Sequence, residues 1–192
     1  MVVVSLDNFE KFDVVKPLPH QEQLKKWLKL GARIAGGFPV WAAGFSSRYT
    51  DIDLYADTWD TFTRIRGDLH VSGKYLGDTR ETSQYVVNQT TFQLVNPFEE
   101  HKTIYDLINN TDMSATATAL CVDRDKLVVI SLYPDDLKNH INRILIDHEW
   151  TGFRAEAYRQ RGFTIVNKNG CRYEFKMPMP PMPLDCLICK NK

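Results

Sequence analysis

Gly36-Gly37-Phe38-Pro39-Val40-Trp41-Ala42-Ala43-Gly44-Phe45-Ser46-Ser47-Arg48-Tyr49-Thr50-Asp51-Ile52-Asp53-Leu54-Tyr55 is the stretch on which the architecture turns. Its last five residues alternate with the period of two that marks a strand, which sets both carboxylates on one face. Its first two are glycines, which permit a tight turn and let backbone N–H groups approach a phosphate. Phe38 to Gly44 reads as a short helix, with Pro39 tolerated in the first turn. Ser46, Ser47 and Arg48 form a polar loop, and thirteen residues separate Gly37 from Asp51.

Upstream, Ala32 to Ala35 reads as a short buried strand running into the glycines. Before it, Leu24, Trp27, Leu28 and Leu30 recur at helical spacing behind Pro19, predicting an amphipathic helix over 19–30 that ends near Gly31. Downstream, Trp59, Phe62 and Ile65 mark a helix over 58–66, and residues 83–87 and 90–95 read as strands. A helix over 98–108 buries Ile104, Leu107 and Ile108. Strands over 112–122 and 126–132 meet at the turn composition Asp123-Arg124-Asp125. Two helices, 135–147 and 150–161, close the domain, the second ended by Gly162. This order predicts an α+β fold, a small mixed β-sheet flanked by helices, in a single domain over 1–176. Residues 177–192 form a Pro/Met-rich C-terminal tail, whose prolines over 178–183 forbid helix.

The 192 residues, 43% hydrophobic and 11% aromatic, suit one core. Lysine plus arginine equals aspartate plus glutamate at 24 each, so no overall positive field marks a general nucleic-acid binder. No run approaches the roughly 20 apolar residues of a membrane span, and Met1 to Val4 lacks the length and basic flank of a signal peptide. A cytoplasmic protein with no membrane partner is expected. Cys121, Cys171, Cys186 and Cys189 are too sparse for a disulfide scaffold. Cys186 and Cys189 have the spacing of half a zinc site, but only Cys171 offers itself as a further ligand, so no structural zinc is expected. There is no Walker loop, dinucleotide fingerprint, nucleophile elbow or His-Glu-x-x-His, and His20, His70, His101, His140 and His148 do not cluster at ligand spacing.

A glycine turn followed by clustered carboxylates is what nucleotide transfer requires, because backbone amides can hold a triphosphate while carboxylates hold divalent cations. In order and spacing, residues 36–55 resemble the DNA polymerase beta-like nucleotidyltransferase superfamily, whose signature is a strand, Gly-Gly or Gly-Ser, a helix and Asp-x-Asp. The resemblance covers roughly residues 19–165, and small single-domain viral and phage members look especially close in layout, ending in a helix followed by Arg-Gly-Phe, here Arg161-Gly162-Phe163. It implies a third carboxylate on a later, adjacent strand, a place matched by Asp112.

The same resemblance implies a transferase in which Asp51, Asp53 and Asp112 are catalytic and hold Mg2+, or Mn2+ in its place. Gly36, Gly37, Ser46, Ser47 and Arg48 would bind a nucleoside triphosphate such as ATP. The nucleoside monophosphate would pass to a hydroxyl of a protein, a small molecule or a tRNA or other RNA end, with release of pyrophosphate. An alternative of another class is a catalytically silent member, a viral or phage factor that binds a nucleotide or inhibits a host protein. Convergence of the three aspartates separates the two. Asp112 also has a simpler reading as a turn residue after Asn109-Asn110-Thr111. Arg143, Arg154, Arg159 and Arg161 on the C-terminal helices read either as solvated surface charges or as charges facing the nucleotide or an RNA phosphate and are not assigned; Phe153 and Tyr158 read as core, with stacking on a base the alternative for Tyr158.

Overall fold

The computed structural model describes residue 6 and residues 9–79, 81–97, 103–148 and 150–175. The 177–192 tail, with Cys186 and Cys189, and His101 lie outside the described residues. The described residues form, in order, β1 (Glu10–Asp13), α1 (Gln21–Lys29), β2 (Arg33–Ala35), α2 (Gly37–Ala42), β3 (Ile52–Tyr55), α3 (Trp59–Ser72), β4 (Lys74–Asp78), β5 (Thr82–Val87) and β6 (Thr90–Val95). Then come α4 (Ile104–Asn109), β7 (Thr118–Asp123), β8 (Lys126–Ser131), α5 (Pro134–Lys138), β9 (Ile141–Arg143), α6 (Thr151–Gln160) and β10 (Thr164–Val166).

The main sheet has the order β1-β8-β7-β2-β3-β6-β5-β4. It is mixed: β3 and β6 run parallel, and every other neighbouring pair is antiparallel. Alternation along the strands gives it two faces. Ile52, Leu54, Phe92, Leu94 and Tyr85 point into the largest core, against Leu24 and Trp27 of α1 and Phe62, Ile65 and Leu69 of α3. Ala35, Ala119 and Cys121 face the other way, against Leu107 and Ile108 of α4. Burial pushes the Cys121 thiol up to about 12, so it stays protonated. A third cluster joins Val40 of α2 to Ala155 and Tyr158 of α6, with Met113, Ile144, Phe163 and Ile165. It seats α6 beside the glycine turn. Among the described residues no helix is long and apolar enough to cross a membrane.

Asp68 joins the first two long helices: its Oδ2 accepts from Trp27 Nε1 at 2.8 Å, Gln23 Nε2 at 2.9 Å and Lys26 Nζ at 3.0 Å. Asp68→Ala strands the indole N–H of a fully buried tryptophan and is expected to cost about 2 kcal/mol. The urea midpoint should fall at unchanged slope, and a loss below about 0.5 kcal/mol contradicts this account.

Three expectations are corrected. The strand placed at 112–122 begins only at Thr118, because residues 112–117 hydrogen-bond through side chains. Asn142 Oδ1 accepts the Ala115 N–H, Ser114 Oγ accepts the Arg143 N–H, and the Thr116 hydroxyl donates to the Met113 carbonyl. The helix placed at 135–147 stops at Lys138; His140 takes a left-handed φ of 51°, and Ile141 starts a strand paired with β10. The helix placed at 98–108 is described from Ile104, capped by Thr103 and Asp106 in a reciprocal box. Strands β1, β4 and β10 were not expected, and α3 continues through Gly67 to bury Leu69.

Candidate active site

Asp53 lies within β3, in register with Ala35 of β2 on one side and Gln93 of β6 on the other. Asp51 stands two residues earlier and faces the same way. The Thr50 hydroxyl donates to Asp51 Oδ1 at 2.5 Å, and the Gln93 side-chain amide donates to Asp51 Oδ2. Gly36 carries the chain from β2 into α2 at a φ of 86°, which favours glycine. A methyl group there would lie 3.4 Å from Asp53 Oδ2. The turn is pinned to β7: the Gly36 N–H donates to the Thr118 carbonyl, and the Thr118 hydroxyl donates to the Gly36 carbonyl, both at 3.2 Å. Asp53 therefore faces a glycine turn that leaves space beside it, with Asp51 next to it on the same face.

Their charge is crowded. Burial, and then the Asp51 charge, hold the Asp53 carboxyl well above the usual carboxylate range, while Arg154 pulls the other way. Burial and the Asp53 charge likewise raise the nearby Tyr55 hydroxyl.

Helix α6 supplies the opposite wall. Arg154, Tyr158 and Arg161 fall at i, i+4 and i+7, one face of the helix extended into its cap. The Arg154 Nη1 lies 2.7 Å from Asp112 Oδ1, and His148 Nε2 lies 3.1 Å from Asp112 Oδ2. The Trp150 N–H donates to His148 Nδ1 at 3.2 Å, so the ring proton sits on Nε2 and is donated to Asp112. Arg161 and Tyr158 reach the glycine turn: a Cβ on Gly37 would stand 3.0 Å from Arg161 Nη1 and 3.5 Å from the Tyr158 hydroxyl oxygen.

The structure brings Asp51, Asp53, Gly36 and Gly37 together. Asp112 has other partners. It is buried after α4, off any strand; its carbonyl accepts the Leu145 and Ile146 N–H groups, and its carboxylate meets Arg154 and His148. Among the described residues no group of three or more His, Cys, Asp or Glu could hold a metal ion, and the strand beside β3 presents the amide of Gln93 instead. Ser46 is buried, its hydroxyl donating to the Arg48 carbonyl at 2.7 Å, which shapes the loop. Ser47 and Arg48 are exposed, and Arg48 Nη2 donates to Gln160 Oε1 at 3.2 Å on the last turn of α6. Arg143 is paired with Asp136, and Arg159 with Glu156. Sequence reasoning did not assign Arg154, Arg161, His148 or Gln93. The i, i+4, i+7 spacing was the signal available for the first two; Gln93 becomes visible only through strand register.

Gly37 does not adopt a positive φ, so alanine fits its backbone. Gly37→Ala is expected to leave stability within about 0.5 kcal/mol and to weaken triphosphate binding about tenfold, by pushing Arg161 away and filling the turn. Equilibrium dialysis with labelled nucleotide reads this, and unchanged affinity removes the turn from the binding site.

Solved structures share this fold. A CCA-adding enzyme in complex with CTP matches with a TM-score of 0.54 at 20% identity over 81% of this chain, and one with ATP at 0.57 and 19% over 81%. The Thermotoga maritima CCA-adding enzyme complexed with tRNA matches at 0.55 and 18% over 83%. The chain has the nucleotidyltransferase fold. It spans 44%, 42% and 43% of those three chains, respectively. No family model matches the sequence, and no curated protein does.

Proposed function

We propose that this nucleotidyltransferase-fold protein is a magnesium-dependent enzyme that moves a nucleoside monophosphate from a triphosphate to an acceptor hydroxyl. The observation that carries the reading is the Asp51–Asp53 pair, whose Asp53 carboxyl is held up by burial and then by the Asp51 charge and stands beside the missing side chain of Gly36. Solved neighbours with CTP and ATP support a nucleotide as ligand. An all-oxygen donor pair suits magnesium, with manganese as a substitute. Asp51 and Asp53 would hold the ion, and Gln93 and Thr50 would orient Asp51 from behind. Bound there, magnesium would polarise the α-phosphate and neutralise charge as the acceptor approaches.

The chain's own residues do the positioning. Gly36 and Gly37 leave room for the phosphates, and Arg154 supplies positive charge beside the carboxylates. The acceptor oxygen bonds to the α-phosphorus and releases its proton to water; the bond to the β-phosphate bridging oxygen breaks, and pyrophosphate leaves. Rate enhancement comes from alignment and charge stabilisation. Zero net charge favours a protein or small-molecule acceptor, and the tRNA-bound neighbour keeps an RNA end among the acceptors to test.

The test is incubation with each of the four labelled nucleoside triphosphates and magnesium in cell lysate, beside the Asp51→Ala, Asp53→Ala double variant. Label transferred by the wild type alone establishes the reaction and shows the acceptor class. A second reading, a silent nucleotide-binding or inhibitory protein, is favoured by one observation: Asp112 is engaged by Arg154 and His148. Nucleotide binding without transfer from any triphosphate selects it.

A further inference from the structure

Arg161 differs from its neighbours on α6. Arg159 is clamped by Glu156 through bonds of 2.7 and 2.6 Å, and Arg154 pairs with Asp112. Among the described residues no carboxylate pairs with Arg161, although it is half-buried. Its guanidinium lies 4.9 Å from the centre of the Tyr158 ring, and that ring is buried against Phe163. An aromatic face holds a guanidinium in place without neutralising it. Tyr158 in turn is fixed by the cluster that ties α6 to Val40 of α2. The result is an aromatic-backed cation, paired with no carboxylate among the described residues, 3.0 Å from where a Gly37 side chain would begin. A half-buried cation without a counter-charge favours an anion in the adjoining space.

We propose that Arg161, backed by Tyr158 over Gly37, is the ligand for the β- and γ-phosphates of the nucleotide and for the pyrophosphate that leaves. This deepens the reading given above and rests on it for the identity of the nucleotide. The guanidinium fork binds two phosphate oxygens at once, which a lysine ammonium does not reproduce. The division of labour is spatial: Asp53 lies at the Gly36 side of the turn, and Arg161 lies at the Gly37 side.

Calorimetric titration of the full chain with inorganic pyrophosphate in magnesium tests it. Arg161→Ala is expected to weaken pyrophosphate binding at least tenfold, Arg161→Lys to recover part of the loss, and Arg159→Ala to bind as wild type does. Wild-type affinity in Arg161→Ala overturns the proposal, as does an equal loss in Arg159→Ala, which would mark a general positive field. Manganese binding followed by electron paramagnetic resonance without phosphate should be unchanged in Arg161→Ala, which also shows that the site is still folded; a matching loss of manganese overturns the assignment. Pyrophosphate binding through Arg161 with no label transfer leaves the phosphate site standing and removes the enzyme. Transfer by Arg161→Ala at unchanged KM for the triphosphate removes the phosphate site and leaves the enzyme.

Discussion

Asp53→Asn is expected to raise the melting temperature of the metal-free protein and to abolish its response to magnesium. Burial and the Asp51 charge hold the Asp53 carboxyl above its ordinary value. The folded state therefore binds its proton more tightly than the unfolded state does, and stability falls as pH rises from the ordinary carboxylate value through the raised one. The penalty grows through that window and is complete only above the raised value. Removing the charge is expected to return about 1 kcal/mol, or about 2–4 °C for a chain of this size. The gain should vanish at acid pH, where the Asp53 carboxyl is protonated in the folded and the unfolded state alike. Magnesium should raise the melting temperature of the wild type and leave that of the variant unmoved, since a ligand stabilises only the state that binds it. Transfer should fall by roughly a hundredfold to a thousandfold or more. A lower metal-free melting temperature, or an intact magnesium response, sinks the assignment of Asp53 as a metal ligand.

How much of the fold and site was legible in the sequence depends on which signals are local. The glycine turn, α2 and β3 were readable because period-two alternation and the Gly-Gly turn are written within twenty residues, and β2, β5, β6 and β8 carry the same plain patterning. The fold class came from their order. The region after Thr111 was misjudged because its conformation is set by distant partners. Asn142 and Arg143 capture Ala115 and Ser114, bonds across 27 and 29 residues that no window along the chain contains. The same bonds explain why residues 141–143 are a strand beside β10 rather than the middle of a helix. Gln93 was invisible for a different reason: it faces Asp53 only once β3 and β6 pair in parallel. The basic face of α6 was in plain view, at positions 154, 158 and 161. Spacing alone does not tell a solvated face from one turned toward a site.

Asp112→Asn separates the two roles open to that residue. Asp112 has 7% side-chain exposure; its Oδ2 accepts the Nε2–H of His148, and its Oδ1 lies 2.7 Å from Arg154 Nη1 as an ion pair without a hydrogen bond. Both partners are donors, so an asparagine satisfies one and turns its own N–H groups toward the other. Because Arg154 and His148 are themselves 46% and 37% exposed, water takes over much of the lost interaction, and the expected cost is about 1 kcal/mol rather than that of a fully buried pair. If Asp112 positions Arg154, the variant binds manganese as wild type does, while transfer falls about tenfold through the misplaced guanidinium. Arg154→Ala should then reproduce that loss, and the double variant should be no worse than either alone, the signature of two residues acting as one unit. If Asp112 is a metal ligand, manganese affinity falls together with transfer in Asp112→Asn and stays intact in Arg154→Ala. The observed pairing predicts the first pattern: the Arg154 guanidinium lies 2.7 Å from Asp112 Oδ1, so loss of the Asp112 charge acts first on the position of Arg154.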